Sequence, residues 1–135
     1  MSTKTDIRTA ADIERFVTAF YDTAFRDDLL GPIFTDIAKL DLTAHMPLMV
    51  GFWQKVLFGE SDYNRDAFQP HAALHARFPL QEKHFDRWLE IFETTVRSLF
   101  AGEKTELAIE RARGISAAML QQLTRPFNGG FARIS

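Results

Sequence analysis

"QEKHFDRWLEIFETTVRSLFAG", Gln81–Gly102, places Phe85, Trp88, Leu89, Phe92, Val96, Leu99 and Phe100 at helical spacing. The residues between them are largely charged. The period fits a helix with one buried stripe rather than a strand, and it predicts a helix over 81–101 with Gly102 as its C-terminal cap. On the N-terminal side, Pro79 separates this helix from a short helical piece over Phe68–Ala76, itself preceded by the polar, aperiodic "GESDYNRDA". On the C-terminal side, Leu107, Ala108, Ala112, Ile115, Met119 and Leu123 predict a helix over 103–124, with Pro126 just beyond it.

The first half of the chain has the same character. Ile13, Phe16, Val17, Phe20, Tyr21, Ala24 and Phe25 predict a helix over 10–27, which Thr9 and Asp12 start and Gly31-Pro32 ends. A turn or short helix follows around Ile33–Ala38. A further helix carries His45, Met49, Phe52, Trp53, Val56 and Leu57 and is capped by Gly59. Pro47 is compatible only with its first turn, which places His45 at the start of the helix, free to swing. No segment reads as a strand. The expectation is therefore one all-α domain over 10–125, with an N-terminal extension over 1–9 and a tail over 126–135.

Composition narrows the chemistry. At 135 residues the chain is sized for one core, burying roughly 70% of the surface its unfolded form exposes. A net charge of −2 without blocks of like charge gives no reason to expect nucleic acid or an anionic membrane as partner. The chain has no cysteine, so disulfides, thiolate catalysis, iron–sulfur clusters and covalent haem attachment are excluded, and a metal must use His or carboxylate. With no apolar run of spanning length and no leader-like start, the expected location is the cytoplasm. Thirteen Phe, two Trp and two Tyr supply much flat apolar surface, which an aromatic-rich core or a flat apolar ligand would both explain.

Four histidines are the candidate ligands. His71 and His75 share a helix face at i,i+4, a spacing that zinc sites use, but H-A-A-L-H lacks the glutamate of a metalloprotease motif and has no obvious third donor. His84, in a first helical turn, reads as structural. A single imidazole beside many aromatics also suits an axial ligand to haem.

With that possibility in view, "FYDTAFRDDLLGPIF", "HMPLMVGFW", "LFGESDY", "HAAL", "HFDRWLEIFETTV" and "RARGIS" resemble, in order and spacing, the truncated haemoglobins of the third group. The resemblance runs from about Phe16 to Leu123 and is carried by the combination, each fragment alone being weak. It implies a two-on-two helical sandwich around haem b, with a largely non-helical segment before the proximal histidine. It also implies His71 as the iron ligand, with His75 as rival should the alignment shift, and Phe68 on the same haem face. Opposite, Tyr21, His45 and Trp88 would hold a diatomic gas ligand, with Phe34 at the haem edge, Met49 over the iron, and Phe52 and Trp53 lining the pocket. Pro47 and the flexible Met49 depart from the family pattern as it bears on the start of the distal helix and the rigidity of the pocket.

Several hydrogen-bond donors around a bound ligand predict slow oxygen release. That suits redox chemistry on nitric oxide, peroxide or related oxidants, such as dioxygenase or peroxidase-like activity, better than bulk oxygen carriage, and it would require an electron donor. Two other readings remain open at this point: a haem-free helical interaction domain, and a small metal-binding module using His71 and His75.

Overall fold

The structure is a computed structural model that describes residues 3–59, 63 and 68–124. The side chains of Phe68 and Gln69 lie outside that set, as do most of the predicted loop and the C-terminal tail. Five α-helices follow one another: α1 (Ala10–Arg26), α2 (Leu42–Phe58), α3 (Phe68–Arg77), α4 (Glu82–Leu99) and α5 (Glu103–Thr124). A π-helical turn at Ile33–Ile37 lies between α1 and α2. The described residues contain no strand.

Local chemistry explains where α1 begins and ends. Thr9 is an extended N-cap whose hydroxyl accepts from the Asp12 amide at 3.2 Å, while the Asp12 carboxylate accepts from the amides of Thr9 and Arg8. The helix ends before Gly31-Pro32. Asp27 turns extended, and its carboxylate accepts the amides of Leu29 and Leu30 at 3.0 Å each and the Arg87 guanidinium of α4 at 2.7 Å. Ile13, Phe16, Val17, Phe20, Tyr21 and Ala24 form the buried face.

Two sequence expectations are corrected. Asp41, not a residue nearer Pro47, caps α2, so Pro47 stands inside the helix and His45 belongs to its first turn. The C-cap of α4 is Phe100 in extended conformation rather than Gly102. Gly102 serves a different purpose. At φ +146° a Cβ would collide with the Asp6 side chain, which lies there because it caps α5. The Asp6 carboxylate accepts from the Lys104 amide (2.8 Å), the Thr105 amide (2.9 Å) and the Thr105 hydroxyl (2.8 Å). Helix α3 begins at Phe68, as the sequence pattern predicts, and most of the segment before it, where the resemblance implies a largely non-helical stretch, lies outside the described residues. Gly59 is left-handed (φ 73°) at the end of α2, as its position predicts.

Helix α1 packs on α2, α4 on α5, and the two pairs meet chiefly through α1 against α4 and α2 against α5. Aromatic rings hold the junction. Phe16 meets Trp53 and Phe92 edge-on at 5.9 and 5.8 Å, Trp53 stacks on Phe92 at 5.1 Å, and Trp88 stacks on the same Phe92 at 5.4 Å. Helix α3 is bound more lightly, touching α5 and reaching the π-helical turn through Arg77 Nη2, which donates to the Ile37 carbonyl at 2.8 Å.

Candidate haem site

Helix α2 is apolar on nearly every side, and such a helix is expected to be buried all round. Only Trp53 and Leu57 are. Met46, Leu48, Met49, Val50, Phe52 and Val56 remain half-buried. Facing elements show the same incompleteness: Phe25, Phe34, Leu74, Phe78, Phe85, Trp88 and Leu89 pack against the core without being enclosed by it. So many large apolar groups left partly uncovered form a surface that a flat apolar disc would complete, and the residues present therefore fit a haem.

Tyr21 and His45 stand together at this surface. Tyr21 is delivered by the buried face of α1, and its hydroxyl lies 2.9 Å from His45 Nε2 of α2. The two rings meet edge-on at 5.6 Å, and Phe34 closes on Tyr21 at 5.8 Å. Burial pushes the Tyr21 hydroxyl well above the usual phenol range, so it stays protonated and acts as a donor. Burial lowers the His45 pKa, and repulsion from His71 lowers it further, so its neutral ring accepts the Tyr21 proton at Nε2 and carries its own at Nδ1. That same repulsion shows the two histidines sharing one neighbourhood. The earlier expectation of a freely swinging His45 is thus replaced by a latched one.

The other expected residues separate by depth. Trp88 stacks on Phe92 and meets Phe20, which in turn meets Tyr21 at 5.1 Å, so it belongs to the same aromatic wall. Its indole N–H has no hydrogen-bond partner among the described residues. Phe52 and Met49 are half-buried on α2, whereas Trp53 sits deeper, 5% exposed. Phe25, one turn after Tyr21, was not anticipated as a site residue: it stacks on Phe34 at 5.5 Å. Its i,i+4 spacing from Tyr21 is the signal that would have revealed it.

The three remaining histidines divide by their hydrogen bonds. His75 Nδ1 accepts the Leu80 amide at 2.8 Å, and His84 Nδ1 accepts the Gln81 amide at 2.8 Å. A neutral imidazole whose Nδ1 is an acceptor carries its proton on Nε2, which is then no metal ligand. His84 is buried and caps α4, and burial followed by the Lys83 charge holds its pKa below the ordinary value. His71 is half-buried on α3. Among the described residues, no cluster of three or more His, Cys, Asp or Glu is arranged to hold a metal ion.

The sequence pattern of the bacterial-like globins matches residues 6–121. The group 3 truncated haemoglobin Ctb of Campylobacter jejuni is 28% identical over 120 residues, covering 87% of this chain and 91% of that protein. The crystal structure of the group III truncated haemoglobin from Campylobacter jejuni superposes with a TM-score of 0.80 at 26% identity, covering 93% of this chain and 99% of that one. Among the described residues, no helix is long and apolar enough to cross a membrane. The half-covered aromatic surface has its explanation here: the chain belongs to the bacterial-like globin family, with the two-on-two fold of a third-group truncated haemoglobin and the haem-binding function of a globin.

Proposed function

We propose that the chain binds haem b through Nε2 of His71 and uses Tyr21, His45 and Trp88 on the opposite face to hold a diatomic ligand for redox chemistry on nitric oxide, peroxide or related oxidants. When bound, the haem supplies an iron that takes the ligand and exchanges electrons with it. His71 anchors one side of the disc. Phe34, Met49 and Phe52 cover its apolar faces and exclude water, with Trp53 behind them and Phe68 assigned to the proximal side.

The observation that carries this reading is the Tyr21–His45 pair, a protonated phenol 2.9 Å from a neutral imidazole on the uncovered aromatic surface. Once turned from His45, the Tyr21 hydroxyl donates its one proton to a ligand that gains negative charge, and in a water-poor pocket that interaction is stronger than in bulk solvent. The Trp88 indole offers a second donor from the α4 side. A pocket that retains its ligand favours a reaction over rapid carriage. Such turnover draws on an electron donor, and the proposed location is the cytoplasm.

The test is purification with haem, followed by stopped-flow mixing of the oxygen-bound protein with nitric oxide and of the ferric protein with peroxide. Rapid oxidation with nitrate release, or rapid peroxide consumption, supports a redox role. Fast oxygen release together with inertness toward both reagents refutes it.

A further inference from the structure

Trp88, Phe92, Trp53, Phe52 and Tyr63 lie ring to ring in one row that crosses from α4 to α2 and on to Tyr63. Trp88 is stacked on Phe92 at 5.4 Å with the planes 12° apart, and Phe92 on Trp53 at 5.1 Å and 22°. Phe52 meets Trp53 edge-on at 5.3 Å and Tyr63 at 5.4 Å, so no step of the row exceeds 5.4 Å. Its middle is enclosed: Phe92 is 2% and Trp53 5% exposed, whereas Trp88 and Tyr63 at the two ends are half-buried. Lys55 Nζ donates to the Tyr63 carbonyl at 3.0 Å, which ties the outer end to α2. Packing alone would accept phenylalanine at every place in the row. Instead the three side chains that give up an electron most readily, Trp88, Trp53 and Tyr63, alternate with two phenylalanines that do not.

We propose that this row is an electron relay, through which an external donor of the phenol class, meeting the protein at Tyr63, supplies the electrons that peroxide reduction draws from the pocket. It rests on the assignment of Trp88 to the ligand face and of peroxide as a substrate. Peroxide takes two electrons and two protons to become two waters, and the relay delivers the electrons singly. In each passage Trp88 gives one electron into the pocket, Trp53 restores it to Trp88, and Tyr63 restores it to Trp53, with Phe92 and Phe52 as spacers that are not themselves oxidised. Tyr63 loses its phenolic proton to solvent with the electron, which leaves a neutral radical, and a hydrogen atom from the external phenol repairs it. Two passages close the balance: one peroxide and two phenols give two waters and two phenoxyl radicals.

The experiment mixes ferric, haem-loaded protein with hydrogen peroxide: alone for freeze-quench electron paramagnetic resonance, with a nitroso spin trap for peptide mapping, and with 2-methoxyphenol as donor. A tyrosyl signal and a trap adduct at Tyr63 are expected. The chain's other tyrosine, Tyr21, distinguishes outward transfer from a radical that stays in the pocket. Tyr63→Phe removes only a hydroxyl at the outer end, so peroxide reduction should keep its rate while the tyrosyl signal and most 2-methoxyphenol oxidation are lost. Trp53→Phe keeps an aromatic ring in the core but breaks the relay, so the Tyr63 adduct should disappear although Tyr63 is intact. An adduct confined to Tyr21, a Tyr63 adduct that persists in Trp53→Phe or forms equally in haem-free protein, or full donor oxidation in Tyr63→Phe overturns the relay. Wild-type protein that does not reduce peroxide overturns the peroxide reading and the relay with it, whereas reduction that never oxidises Tyr63 overturns the relay alone.

Discussion

The His75 Nδ1 accepts the Leu80 amide at 2.8 Å, and this contact separates two histidines that are one helical turn apart on the same face. It commits Nε2 of His75 to carrying the ring proton, and of the two histidines of α3 it is His71 that is proposed as the haem ligand. His71→Ala is therefore expected to abolish stable haem uptake, or to leave haem that added imidazole restores. His75→Ala should retain haem and lose only the stop that its ring provides after α3. Absorption spectra of the two variants decide the matter, and the reversed pattern would make His75 the ligand.

Tyr21→Phe deletes one hydroxyl and leaves the ring that packs on Phe20 and Phe34. A hydrogen bond to a charged acceptor contributes about 1.5–3 kcal/mol, so oxygen dissociation should accelerate roughly ten- to a hundredfold. Carbon monoxide dissociation should change far less. Trp88→Phe is expected to act in the same direction. Equal acceleration of both gases would instead indicate a loosened pocket.

Acid should destabilise the protein through His84. Its folded-state pKa is depressed from 6.5, first by burial and then by Lys83, so the unfolded chain binds the proton more readily than the folded one. The stability it contributes is fully present above 6.5 and is lost as pH falls from there toward the depressed value. His84→Gln keeps an acceptor for the Gln81 amide without a titrating ring. Urea titrations of that variant should show a flatter pH dependence below 6.5, and an unchanged slope would assign the acid sensitivity elsewhere.

Asp6→Ala removes the carboxylate that receives two backbone amides and a hydroxyl at the start of α5. A loss of about 1–3 kcal/mol is expected in denaturant titration, concentrated in the first turn of α5 when read by amide exchange. Partial burial alone would raise the Asp6 pKa, but the hydrogen bonds from Lys104, Thr105 and Ile7 outweigh it and hold the carboxyl below 3.8. Its contribution is thus complete above 3.8 and declines as pH falls below that value.

Chelator treatment should leave helicity and haem content unchanged, since the helices are joined by the aromatic core. Circular dichroism with metal analysis before and after treatment checks this. Loss of helix together with stoichiometric zinc would support a metal module on His71 and His75.

Helical register was legible because it is local: the i,i+3/i+4 recurrence of Phe16, Phe20, Trp88 and Phe92 dictates which face of each helix is buried, whatever it later packs against. The Thr9–Asp12 cap and the Gly59 stop were legible for the same reason, their partners lying within one turn. What stayed hidden involves partners far apart in the chain. The Tyr21 hydroxyl finds His45 across 24 residues, Asp27 finds Arg87 across 60, and Asp6 caps α5 across 98. Spacing carries no record of such pairs, because a side-chain hydrogen bond forms only where packed helices bring donor and acceptor within about 3 Å. For that reason spacing left His71 and His75 equivalent and His45 loose at a helix start, while packing latched His45 to Tyr21 and spent a ring nitrogen of His75 on the Leu80 amide.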